Sequence, residues 1–204
     1  MLNISRSLRV TIFLLVAVAV AFPSFSAHAC VGRKLVFGSV EADRPGMVSR
    51  ILSILIHERT GTTVEVKFFP DRNKLLAAVE KHKVNLYVDY VDSAIDRLKV
   101  EVSSTDENER FKAVKRRFDE ELNQVWLKPM GYSGIAPDGR GLGPASIVVH
   151  KDTLKKFPAL PRLLEKIGTR VVLDDGHLDS LVSKARSEKP AKVARNYLKE
   201  VKLI

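Results

Sequence analysis

A strand–helix–strand–helix–strand succession over residues 34–94 constrains this chain more than any other feature. Lys34 to Ser39 is a short apolar run. Met47, Val48, Ile51, Leu52, Ile54, Leu55 and Ile56 then cover a wide helical face that ends at Thr60-Gly61. Thr62 to Phe69 is β-branched and aromatic and predicts a second strand; Pro70-Asp71 stops it, with Asp71 placed to cap a helix from Asn73 to Lys81. The segment from Val84 to Ala94 reads as a buried strand that ends in an aromatic residue and small polar ones. Right-handed crossovers make such strands parallel, with helices on both faces of the sheet. In open α/β sheets ligands sit at the carboxyl ends of the strands, so the order predicts an α/β lobe that binds a small molecule.

The first 29 residues predict where that lobe works. Arg6 and Arg9 precede an unbroken apolar stretch from Val10 to Phe22, and Ala27-His28-Ala29 precedes Cys30. A basic head, an apolar centre and an A-x-A site describe a secretory signal peptide, and the apolar stretch falls short of the roughly 20 residues that a membrane span needs. The mature chain then begins near Cys30 and is exported to the periplasm or cell envelope. Cys30 is the only cysteine, so no internal disulfide can form in that oxidising compartment. Directly behind a cleavage site it resembles the acylated cysteine of a bacterial lipoprotein, although Ala27 stands where that motif usually has leucine. Ala-His-Ala equally serves ordinary signal peptidase, and both readings stand.

Removal of the signal takes away two arginines and no acid, so the net charge falls from +10 to +8. Such an excess fits an anionic partner. The charges are nevertheless mixed: Lys112, Lys115, Arg116 and Arg117 share a predicted helix with Glu107, Glu109, Asp119, Glu120 and Glu121. The basic runs also lack the interleaved aromatics of a nucleic-acid surface, which argues against nucleic acid as the partner.

About 175 mature residues suit one domain, expected to span residues 30–204. Ser104 and Glu107 stand at capping-box spacing ahead of a helix that runs to about Asn123. Gly131 to Pro144 contains five glycines and two prolines and reads as a loop or a chain crossing. Ala145 to His150 is a further strand. Helical segments follow at Leu154–Ile167, Leu178–Arg186 and Pro190–Val201, the last with proline at an acceptable first-turn position. No catalytic constellation is visible: Gly139-Arg140-Gly141-Leu142-Gly143 has the wrong spacing for a dinucleotide loop, His57-Glu58 lacks a second histidine, and no serine sits in a Gly-x-Ser-x-Gly elbow. Asp174-Asp175-Gly176-His177 reads as a turn and helix cap. The chain is expected to be neither an enzyme nor a cofactor or metal carrier.

Several segments together resemble the glycine betaine/choline-type substrate-binding proteins of ABC transporters. They are Lys34–Ser39, Leu55–Gly61, Leu76–Val79 and Asn85–Tyr90 in the first part, then Ala145–Leu154, Phe157–Leu160, Pro190–Leu198 and the terminal Leu203-Ile204. The resemblance implies a periplasmic-binding-protein fold, in which two α/β lobes close over a ligand and the chain crosses between them. Residues 33–124 correspond to the first lobe, 125–144 to a short crossing, and 145–204 to the returning strand and C-terminal helices. Val125–Gly131 is similar to the family's passage into its second lobe, yet only about a dozen residues stand in for a lobe of roughly a hundred. Most of the second lobe is expected to be missing.

For function, the resemblance implies capture of a small solute, a quaternary amine or similar, and delivery to an ABC permease in the membrane. In the family a Tyr-Thr-Gly-Thr stretch ends the third strand; here Tyr90 and Ser93 match it, while Val91 and Asp92 depart. Ser39 and Glu41 fall in the loop after the first strand, where the family has a small hydroxyl and an acidic residue. A quaternary ammonium is held by cation–π contact with aromatic faces, and Tyr90, Tyr132 and the sole tryptophan, Trp126, are the supply. The expected ligand-binding set is thus Ser39, Glu41, Tyr90, Ser93 and Trp126. With one lobe missing, closure needs a second copy of the chain or the permease. The alternative is an envelope interaction protein that keeps the lobe but binds a protein or anionic partner without any solute.

Overall fold

The computed structural model describes residues 34–170 and 173–204; the predicted signal peptide and Cys30 lie outside the described residues. The expected succession forms as β1 (Leu35–Val40), α1 (Asp43–Thr60), β2 (Val64–Phe69), α2 (Arg72–Glu80) and β3 (Leu86–Tyr90). The chain continues through α3 (Val91–Leu98), α4 (Glu107–Glu121), β4 (Gln124–Ile135), β5 (Gly141–His150), α5 (Lys151–Lys156), α6 (Leu160–Arg170), α7 (Asp175–Lys184) and α8 (Pro190–Glu200). The caps follow from local chemistry. Asp71 Oδ1 accepts from the Lys74 N–H at 2.8 Å, as its position predicts. At α4 the cap is Asp106, which accepts from the Glu109 N–H at 2.9 Å, rather than Ser104. The Ser104 hydroxyl instead accepts from the Asp106 N–H at 3.1 Å and fixes the approach to the cap.

The five strands form one sheet in the order β2-β1-β3-β5-β4. β1 pairs in parallel with β2 and β3, and β5 is antiparallel to both β3 and β4. Four strands therefore share one direction and β5 alone opposes them. Period-2 alternation divides the core into two layers. Leu35, Phe37, Leu86, Ile147 and Val149 face α1, α6, α7 and α8, whereas Tyr87, Trp126 and Val148 face α2, α3 and α4. Helices cover both faces, as the βαβαβ reading requires.

The glycine- and proline-rich stretch differs from the loop that its composition predicts. Residues 131–144 belong to the long hairpin β4–β5, which turns at 136–140 with Ala136 N–H donating to Arg140 O at 2.8 Å. The pairing carries register irregularities between Trp126 and Pro129, between Pro129 and Ser133, and between Gly134 and Ile135. These irregularities let glycine and proline sit in paired strands. β5 pairs with β3 as far as Ala145 opposite Tyr90, so residues 133–143 of the hairpin project past the carboxyl edge of the sheet.

Candidate functional site

β1, β2 and β3 all end at that carboxyl edge. β2 lies on one side of β1 and β3 on the other, so the edge between β1 and β3 is the topological switch point where α/β sheets hold ligands. Ser39 is buried there, with its hydroxyl donating to the Val40 carbonyl at 3.2 Å. Glu41 follows on the exposed β1–α1 connection, its N–H held by Phe69 O at 2.8 Å. Tyr90 closes β3, and the half-buried Ser93 lies in the first turn of α3. The structure thus gathers Ser39, Glu41, Tyr90 and Ser93 at one edge. It does not bring Trp126 to them: Trp126 is 0% exposed in the α2–α4 layer, while Tyr90 belongs to the opposite layer.

Tyr90 is covered by the projecting hairpin and only 9% exposed. A Cβ placed on Gly134 would lie 2.5 Å from the Tyr90 ring, and one on Gly143, whose φ is +79°, would lie 2.6 Å from the Asp92 carboxyl carbon. These glycines allow the hairpin to seat on β3 and α3. The Arg72 guanidinium stands 5.4 Å from the centroid of the same ring. Burial pushes the phenols of Tyr90 and Tyr132 above the ordinary tyrosine value, so both stay neutral. The Tyr132 hydroxyl is buried beside that of Tyr90. Gly134→Ala is expected to lower stability by about 1–3 kcal/mol through overpacking, and by clearly less in a Tyr90→Ala background. A denaturant double-mutant cycle reads this, and equal costs in the two backgrounds would exclude the contact.

Open space at the edge lies beside Glu41. A groove of about 310 Å³ is lined by Glu41, Asp43, Met47, Arg50, Phe68 and residues of α7 and α8. Phe68 is 40% exposed, and the Arg50 guanidinium lies 5.0 Å from its ring centroid. Arg186 stands 3.6 Å from Asp43 across the groove. Behind it, Arg44 of α1 clamps α7 through Asp179 (2.6 and 2.7 Å) and Asp175 (2.7 Å), and the Arg44 guanidinium holds the Asp179 carboxyl below its usual range. A second space of about 310 Å³ opens beside Asp92, which Arg110 holds at 2.7 Å.

The residue that sequence reasoning missed is Asp89. It is 0% exposed, accepts from its neighbour's Tyr90 N–H at 2.7 Å, and is paired with both Arg72 and Arg97, the latter at 2.9 Å. One signal was present: alternation places Asp89 on the same face as the buried Tyr87, so a carboxylate there needs a cation. Among the described residues no group of three or more His, Cys, Asp or Glu is placed to hold a metal, and no helix is long and apolar enough to cross a membrane. Asp174 caps α7 by accepting from the His177 N–H at 2.8 Å, as that segment predicts.

No protein-family model matches the sequence. Among solved structures, a glycine betaine/carnitine/choline ABC transporter protein superposes with a TM-score of 0.72 at 13% identity, covering 83% of this chain and 99% of that one. Apo YehZ from Escherichia coli gives 0.71 at 11% identity, covering 85% of this chain and 100% of the other. Lactococcal OpuAC, closed and complexed with glycine betaine, gives 0.53 at 10% identity over 82% and 96%. At such identities the likeness is one of fold: the chain has the mixed α/β fold of periplasmic binding proteins.

Proposed function

We propose that the protein is the exported solute-binding component of an ABC uptake system, and that it takes a small quaternary amine or similar zwitterion and hands it to a membrane permease. The observation that carries this reading is the groove at the β1–α1 connection, which two carboxylates, Glu41 and Asp43, line together with the exposed ring of Phe68. A cation gains there from charge and from the aromatic face, which already attracts the Arg50 guanidinium. The guanidiniums of Arg50 and Arg186 are the complementary donors for a ligand carboxylate. Ser39, Tyr90 and Ser93 lie at the same carboxyl edge without lining this groove. With a single lobe, closure over the ligand falls to the permease or to a second copy of the chain, and Cys30 is the candidate membrane attachment.

The test is a thermal-shift titration with glycine betaine, choline, carnitine and proline betaine. A solute at 100 times its Kd stabilises the native state by about 2.7 kcal/mol, a rise in Tm that grows with the logarithm of its concentration. The rise should shrink in Glu41→Gln, an exposed position whose replacement leaves the core untouched. The hairpin seated on Tyr90 favours a second reading, in which the lobe binds a protein or anionic partner and no solute. Absence of any shift up to millimolar solute moves the assignment to that reading.

A further inference from the structure

On the opposite face of the sheet a cleft of about 330 Å³ opens between α2 and α4, a volume at the low end for small-ligand sites. Its floor is aromatic and fully desolvated, made by Tyr87 and Phe118. Leu76 and Ala77 of α2 form one wall, and Leu122, after the end of α4, forms the other lip. The polar groups are few and placed apart. The Tyr87 hydroxyl donates to Gln124 Oε1 at 2.9 Å, which leaves no free phenolic proton. Arg97 enters from the last turn of α3, its guanidinium 5.7 Å from the Phe118 ring centroid.

The charge at this cleft is unbalanced. The carboxylate of Asp89 faces two guanidiniums, Arg72 and Arg97, so the half-buried cluster carries one excess positive charge. Burial, with the repulsion of Arg97 added, brings Arg72 down to about 10, which still leaves it charged at neutral pH. Only Arg97 of the two lines the cleft. One N–H of its five goes to Asp89. Glu80 on the rim offsets part of the field, but it is exposed and therefore screened. An apolar slot with a cation at one end selects an anion that carries an apolar tail.

We propose that this cleft is a second binding site, separate from the carboxyl edge, and that it takes a small amphiphilic monocarboxylate: tail on Leu76, Ala77 and Leu122, above the buried rings of Tyr87 and Phe118, carboxylate on Arg97. Charge-assisted hydrogen bonds to a guanidinium are the strong ones, and an apolar tail gains by leaving water. The site does not depend on the solute reading of the other edge.

Calorimetric titration of the full protein with octanoate, octanol and octylamine, each below its micelle concentration, tests it. Octanoate is expected to bind saturably at one site, with octanol at least about tenfold weaker, the discrimination expected of one charge-assisted contact, and octylamine silent. Ala77→Trp, on a half-buried position of the wall, fills the slot without touching the core and should abolish binding, whereas Glu80→Gln should tighten it a few-fold. Arg97→Gln should weaken octanoate to the level of octanol; if that variant fails to fold for want of its pair with Asp89, Ala77→Trp still decides. Equal binding of octanoate and octanol, or octanoate binding unchanged in Ala77→Trp, would overturn the proposal.

Discussion

Asp89→Asn is expected to lower the unfolding free energy by about 3–5 kcal/mol, because removing one member of a buried ionic cluster strands the charges that remain. The stranded charges here are two guanidiniums held close together, Arg72 from the first turn of α2 and Arg97 from the last turn of α3. The carboxylate also anchors the Tyr90 N–H at the strand-to-helix junction. An asparagine there offers one neutral oxygen to three donors. The matched control is Asp96→Asn: its pair with Arg140 is exposed on both sides, 65% and 64%, at 3.3 Å, and such a pair is worth about 1 kcal/mol or less. Urea titrations of the two variants give the comparison directly. A loss at Asp89 no larger than that at Asp96 would mean that the cluster is hydrated and carries no structural charge. Since the same cluster supplies the excess positive charge of the α2–α4 cleft, its integrity bears on both the fold and the second site.

The parts of the architecture legible in the sequence are those with a local cause. Alternation and helical periodicity over residues 34–90 specify β1 to β3 and their helices, and Asp71 and Asp174 cap α2 and α7 for reasons visible within four residues. The carboxyl-edge positions of Ser39, Glu41, Tyr90 and Ser93 follow from strand order alone. The hairpin was not legible, because glycine and proline read as a loop when the partner they accommodate is distant in sequence. Gly134 is required by the Tyr90 ring and Gly143 by Asp92, contacts that span more than forty residues. Asp89 escaped for a similar reason: its two arginines arrive from different helices. Trp126 needed the strand's parity, which its register irregularities and proline hide.

That parity gives the second large effect. Trp126→Ala should cost about 3–5 kcal/mol, the usual loss when a large aromatic leaves a core that cannot collapse around the gap. Trp126 is 0% exposed and packed edge-on against Phe118 at 5.0 Å and Phe111 at 6.3 Å between centroids. Its indole N–H has no hydrogen-bond partner, so the loss is one of packing, and Trp126→Phe should recover much of it. Were Trp126 the lid of a solute cage, the opposite pattern would appear: little change in stability and a large loss of solute response. The tryptophan's fluorescence separates the two sites as well. It is the only one in the chain and touches the cleft floor through Phe118, while the Glu41 groove lies on the other side of the sheet. Saturating octanoate should therefore alter its emission, and a quaternary amine bound at the carboxyl edge should leave it unchanged. A strong response to the amine with none to octanoate would place Trp126 at the solute and contradict the core assignment.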